Sequence, residues 1–336
     1  MSQAWYRAGI VAASVVAGLL TLVACLAGCE ERGTPASGAG AGRLKIVATT
    51  GMIGDVAANI AGERAQVTTL MGEGVDPHLY KASPGDVRLL ADADVIFYNG
   101  LHLEGRMADV IVKMAQKQTV VRVTEGIEES RLREPPEFAG HFDPHVWFDV
   151  MLWAKAAERV RDALVEKDPA GRGVYEANAE RYLGELRALD AWAREMIATI
   201  PEQNRVMVTA HDAFGYLGAA YGLKVLGVQG ISTDSEASLQ DINGLVDLLV
   251  EGKVPAVFVE STVPRKTIDA LIEGCRARGH TVAVGGELFS DAMGAEGTAE
   301  GTYIGMVRHN VGTVARALGG RVDSPTASGA AAGSAP

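Results

Sequence analysis

The chain has 336 residues, 48% hydrophobic and 22% charged, with a formal net charge of −11. That length exceeds one ordinary core of about 100 to 150 residues and points to two. An acidic balance of this size speaks against nucleic acid as a partner, and with only three cysteines a disulfide-stapled scaffold is excluded.

Arg7 stands in a short polar start, an apolar run extends from Ala8 to Leu26, and Leu26-Ala27-Gly28-Cys29 resembles a bacterial lipobox. Residues 1–28 therefore read as an export signal cut before Cys29, whose thiol would carry lipid. The rival reading, an uncleaved membrane helix of about 20 apolar residues, sits poorly with the charge that directly follows Cys29. The expected location is outside the cytoplasm, lipid-anchored and facing the periplasm or the cell exterior. Residues 29–42 have the Gly/Ala/Ser/Thr composition of a flexible tether, and 323–336 that of a disordered tail. Cys25 leaves with the signal and Cys29 is the anchor, so Cys275 has no intramolecular partner and reads as a small buried hydrophobe on a helix.

Alternating strand and helix patterns begin with the strand Leu44–Thr50 and the helix Ile53–Ala61. The strands Gln66–Met71, Val95–Tyr98 and Thr119–Val123 follow, with a helix through Met107 and Val110–Gln116 before the last of them. Arg172–Ile200 carries Tyr175, Tyr182, Leu186, Leu189, Trp192, Met196 and Ile200 at three- and four-residue spacings, which predicts one amphipathic helix of roughly 40 Å. The order then restarts: strand Arg205–Ala210, helix Asp212–Tyr221, strand Lys224–Val228, helix Leu239–Glu251, strand Ala256–Glu260, helix Arg265–Arg278, strand Thr281–Val284 and helix Thr302–Leu318. The fold class is α/β: two lobes, each a parallel sheet flanked by helices, joined by one long rigid connecting helix. The boundaries are 43–171, 172–200 and 201–322.

Two Asp-Pro-His triplets are the sharpest chemical signal: Asp76-Pro77-His78-Leu79-Tyr80 and Asp143-Pro144-His145-Val146-Trp147-Phe148-Asp149. Proline fixes its own φ and restricts the residue before it, so each histidine leaves its loop in a set direction. The preceding aspartate can orient an imidazole that binds metal. His211, in His211-Asp212-Ala213-Phe214-Gly215-Tyr216, follows the first strand of the second lobe, where ligand loops of parallel sheets emerge. Asp291 lies in Gly286-Glu287-Leu288-Phe289-Ser290-Asp291-Ala292-Met293-Gly294, where spacing alone would make it a turn or cap residue.

These four stretches resemble the ligand motifs of the metal-binding TroA-like solute-binding proteins, over about residues 44 to 318. Gly230–Ser238 and Val257–Ser261 are similar to further signatures of that family. The resemblance implies His78, His145, His211 and Asp291 as metal ligands, two from each lobe, with little lobe motion. It implies a monomeric receptor that binds Zn²⁺ or Mn²⁺, with Fe²⁺ a third candidate, and passes it to the membrane permease of an ABC importer. One departure concerns Glu125–Gly140, which lacks the His-rich loop found in zinc-uptake branches of the family. Three imidazoles and one carboxylate suit zinc, and a bidentate aspartate admits manganese.

Glu260 reads as a buried carboxylate, more structural than ligand-orienting, and His141 as accessory at most. His102, His280 and His309 read as a loop residue, a helix end and a surface helix residue. No enzyme is expected, since a zinc hydrolase would keep three ligands, an open position and a carboxylate base, whereas four ligands and no His-Glu-x-x-His are present. A surface adhesin lipoprotein is the other alternative. Cobalamin or siderophore binding would leave both Asp-Pro-His motifs unexplained.

Overall fold

The structure is a computed structural model and describes residues 43–322. The expected signal (1–28), the tether with Cys29 (29–42) and the tail (323–336) lie outside the described residues. No described helix is long and apolar enough to cross a membrane.

The β-branched run Leu44–Thr50 (β1) is buried from Ile46 onward because it is the inner strand of a four-stranded parallel sheet. The order is β2-β1-β3-β4, with β2 Ala65–Met71, β3 Val95–Tyr98 and β4 Thr119–Arg122. Ile46 stands opposite both Val67 and Val95, which sets the register across the sheet. Helices α1 (Gly51–Ala61), α2 (Pro84–Asp92) and α3 (Ala108–Ala115) make the crossovers. Because every strand is parallel, all loops that follow strands open at one edge of the sheet.

The second half holds two parallel pairs, β5 (Val206–His211) with β6 (Lys224–Gln229), and β7 (Ala256–Glu260) with β8 (Ala283–Leu288). The pairs lie side by side along β5 and β7. Around them stand α6 (Gly215–Tyr221), α7 (Leu239–Glu251), α8 (Lys266–Ala277) and α9 (Tyr303–Ala317). Between the halves run α4 (Val150–Lys167) and α5 (Arg172–Ala198), the latter 27 residues long. Its buried face, Tyr175, Tyr182, Leu186, Leu189 and Met196, meets α4 beside it, α1 in the first half, and α6 and α9 in the second. One hydrophobic cluster runs unbroken from β1 through α4 and α5 to α9. A packed core of that continuity resists hinge motion.

Four elements depart from the sequence reading. The helices α2 and α4 are absent from the predicted elements, although α2 carries Pro84 at its start and a Ser83/Asp86 capping box. In α4 the buried set includes Leu152, Trp153, Ala154, Ala156 and Ala157, a face too broad for a clean 3.6-residue stripe. The predicted strand at Thr281–Val284 instead occupies Ala283–Leu288, running through Gly285 and Gly286. A Cβ on Gly286 would lie 2.5 Å from Cγ2 of Thr313 on α9, and its φ is +148°. Glycines that read as a break are there to admit a helix. Helix α6 begins at Gly215 rather than Asp212.

Candidate metal centre

His78 follows β2 on the loop edge of the first sheet. Its own N–H donates to Oδ1 of Asp76 (2.9 Å), closing a tight turn around Pro77. Asp143 makes the matching bond with the N–H of His145 (3.0 Å), and its Oδ1 also lies 2.7 Å from Nδ1 of that ring. A carboxylate only accepts, so Nδ1 of His145 carries a proton, which leaves Nε2 as the nitrogen that can offer a lone pair to a metal. His211 is the last residue of β5 and Glu260 the last of β7. Glu260 grips His211 twice, Oε1 accepting the backbone N–H (2.8 Å) and Oε2 facing Nδ1 (2.5 Å). Glu260 thus orients a predicted ligand, a larger role than the structural one expected of it. Asp291 lies just beyond β8 in the loop to α9.

The four predicted side chains converge. Nε2 of His78 and of His145 are 3.3 Å apart. Asp291 Oδ1 is 3.3 Å from Nε2 of His145, and Oδ2 is 3.2 Å from Nε2 of His211 and 3.7 Å from Nε2 of His78. All four donor atoms fall within 4.8 Å of one another. Tetrahedral ligands at about 2.1 Å from an ion are about 3.4 Å apart, so most of these spacings match a first-row divalent cation. His145 and His211 are fully buried, and Asp291 and His78 are 2% and 4% exposed.

Neither oxygen of Asp291 has a hydrogen-bond partner, nor does Nε2 of His211, although they lie close together. The groups that face the two oxygens of Asp291 are imidazole nitrogens, an arrangement that a cation would bridge. Burial acts to raise the Asp291 carboxyl, but the facing His211 and His145 outweigh it and hold it well below the ordinary range. Burial pushes His78 down to about 3 against the pull of Asp291. His145 is also opposed by burial, yet Asp143 and Asp291 push it up to about 9. Glu260 and Asp291 likewise overcome burial and carry His211 well above the usual imidazole range. Arg133 stands 3.7 Å from Asp143 and so balances that charge.

A second layer has no signal in the sequence. Buried Glu104 accepts from the Thr49 hydroxyl (2.7 Å) and from the N–H groups of Asn99 (2.7 Å) and Gly100 (3.1 Å). Asn99 then donates to the carbonyl of Pro144 (3.0 Å), fixing the second Asp-Pro-His turn. Trp147 Nε1 donates to the carbonyl of Ser290 (3.0 Å), joining the loops of His145 and Asp291. His141 pairs ring to ring with His102 (4.6 Å) and is not among the four converging donors. His280 and His309 are satisfied by the carbonyls of Val254 and Glu287, and Cys275 is buried on α8.

A two-part parallel α/β fold with a buried three-histidine, one-aspartate cluster between its sheets defines a metal-binding solute receptor. The chain belongs to the family described as ZnuA, zinc-uptake complex component A, periplasmic, whose family model matches residues 46–317. It is 48% identical over 305 residues to the manganese-binding lipoprotein MntA of Bacillus subtilis, covering 90% of this chain and 98% of that protein. It is 47% identical over 277 residues to the zinc-binding protein TroA of Treponema pallidum, covering 82% and 89%. The solved structure of that periplasmic zinc-binding TroA superposes with a TM-score of 0.81 over 82% of this chain and 99% of its own. The metal ABC transporter substrate-binding lipoprotein FimA of Streptococcus parasanguinis is 33% identical over 91% of this chain and 98% of its length.

Proposed function

We propose that the protein is the extracytoplasmic receptor of an ABC importer, that it captures Zn²⁺ or Mn²⁺ on His78, His145, His211 and Asp291, and that it releases the ion to the cognate permease. The observation that carries this reading is the Asp291 carboxylate, buried and ringed by three imidazole nitrogens at 3.2 to 3.7 Å. Those names of relatives that specify a cargo, zinc for TroA and manganese for MntA, leave the choice between the two ions to availability as much as to affinity.

Binding rather than catalysis fits the chemistry. Four protein donors fill a tetrahedral shell, and the nearby carboxylates Asp143 and Glu260 are committed to imidazole Nδ1 atoms. A metallohydrolase needs an open position and a free base.

In the same reading residues 1–28 are an export signal, Cys29 carries the lipid, 29–42 tether a monomeric receptor to the membrane, and 323–336 form a tail. The lobes are 43–171 and 201–322, and 172–200 connect them.

The test is elemental analysis of the protein purified without chelator, beside the His211→Ala variant. One equivalent of metal in the wild type and none in the variant is the expected result. No stoichiometric metal, with no uptake after stripping, would overturn the assignment.

A further inference from the structure

The two Asp-Pro-His turns are alike in sequence and are used differently by the fold. Asp143 spends one oxygen on its own histidine, holding both the N–H and the ring Nδ1 of His145. Asp76 holds only the N–H of His78, and its Oδ2 accepts instead from the hydroxyl of Thr233 (2.6 Å), which comes from the opposite half of the molecule. Among the described residues no group pairs with Nδ1 of His78, whereas His145 and His211 each have a carboxylate there. His78 is therefore the least anchored of the three imidazoles. It is also the most exposed of the four donors.

The two sides of the cluster are closed by different means. On one side the halves are joined through buried groups: Trp147 to the Ser290 carbonyl, Tyr303 to the Trp147 carbonyl (2.7 Å), and Phe148 against Phe214 (4.4 Å between rings). On the side of His78 the halves meet through polar contacts of the β6–α7 loop. Thr233 reaches Asp76, and Asp234 pairs with Arg106 (2.5 Å) where both side chains are solvent-accessible. The Ser232 hydroxyl braces that loop by accepting the N–H of Asp234 (3.3 Å). Buried aromatic packing opens rarely, while a few partly solvated polar contacts open often.

We propose that Thr233–Asp76 and Arg106–Asp234 form a latch over His78, and that the metal loads and leaves there, with His78 the first ligand to let go. This rests on the four-ligand reading of the site. It places the exchange route in one loop and needs no movement of the lobes against their common core.

A latch that opens equally with and without metal changes the rates in both directions and leaves the equilibrium alone. The experiment is stopped-flow zinc exchange on the intact chain in detergent, with a chromogenic chelator reporting free Zn²⁺. Thr233→Val should accelerate both loading and release about tenfold, the value of a hydrogen bond to a charged group, with Kd within about threefold of wild type. Thr233→Ser keeps the hydroxyl and should retain wild-type rates, and Arg106→Gln should accelerate both less, because the pair is exposed. Rates within twofold of wild type for Thr233→Val would overturn the latch. So would faster release with unchanged loading, since Thr233 would then stabilise the bound state. A wild-type protein that binds no zinc would overturn the site assignment and the latch together, whereas one that binds zinc with unaltered exchange in Thr233→Val would overturn the latch alone.

Discussion

Replacing Glu260 by glutamine changes one oxygen for one NH₂ and tests how the site sets its donors. The backbone N–H of His211 donates to Oε1 at 2.8 Å, so the glutamine must place its carbonyl there. Its NH₂ then faces Nδ1 of His211, at the 2.5 Å contact now made by Oε2. Two N–H groups cannot face each other, so the ring must accept at Nδ1 and carry its proton on Nε2, the nitrogen turned toward Asp291. Binding metal then requires breaking that contact and forcing the minority tautomer. A hydrogen bond to a charged group is worth about 1.5 to 3 kcal/mol, and loss of such an orienting carboxylate commonly weakens metal sites about 10- to 100-fold. We expect Glu260→Gln to bind zinc about 100-fold more weakly in chelator competition, with circular dichroism unchanged. Where the cost of the minority tautomer exceeds the bond it secures, His211 leaves the shell, so X-ray absorption on the loaded variant should count two imidazole ligands instead of three. Binding within threefold of wild type with three imidazoles would refute the reasoning.

Metal affinity should rise with pH, because an imidazole must lose its proton to bind. In the metal-free protein His145, with its pKa pushed up to about 9, and His211, pushed well above the usual range, both hold protons at pH 7, whereas His78 at about 3 does not. Zinc binding near neutrality should release about two protons, read by calorimetry in buffers of different ionisation enthalpy, and fewer than one would contradict this. Gly286→Ala should destabilise the fold by about 3 kcal/mol in urea, from backbone strain at φ +148° and the contact with Thr313; a loss under 1 kcal/mol would show that α9 can yield. Cys29→Ser should move the protein from the membrane to the soluble fraction, and retention in the membrane would favour an uncleaved helix.

Much of the fold was legible in the sequence because it is encoded between near neighbours. The β-branched run at 44–50, the helix starting at Leu239 after Ser238, and the long stripe from Tyr175 to Met196 each show their period or cap within a few residues. Two Asp-Pro-His triplets declare themselves as preorganised imidazoles for the same reason, since proline and the i+2 turn act locally. The helix α4 was not legible, because an element buried on most of its surface loses the periodicity that would announce it.

What the chain alone determined was therefore most of the elements, the parallel traffic of strands and the two Asp-Pro-His histidines, while the resemblance supplied Asp291. Only the tertiary structure decided what supports them. Glu260 meets His211 across 49 residues, Asn99 meets Pro144 across 45, Trp147 meets Ser290 across 143, and Thr233 meets Asp76 across 157. No local pattern encodes such pairings; they exist because parallel crossovers bring the ends of distant strands to one edge. That edge is where two triplets with the same letters acquired different partners, one aspartate steadying its own histidine and the other reaching across the cleft.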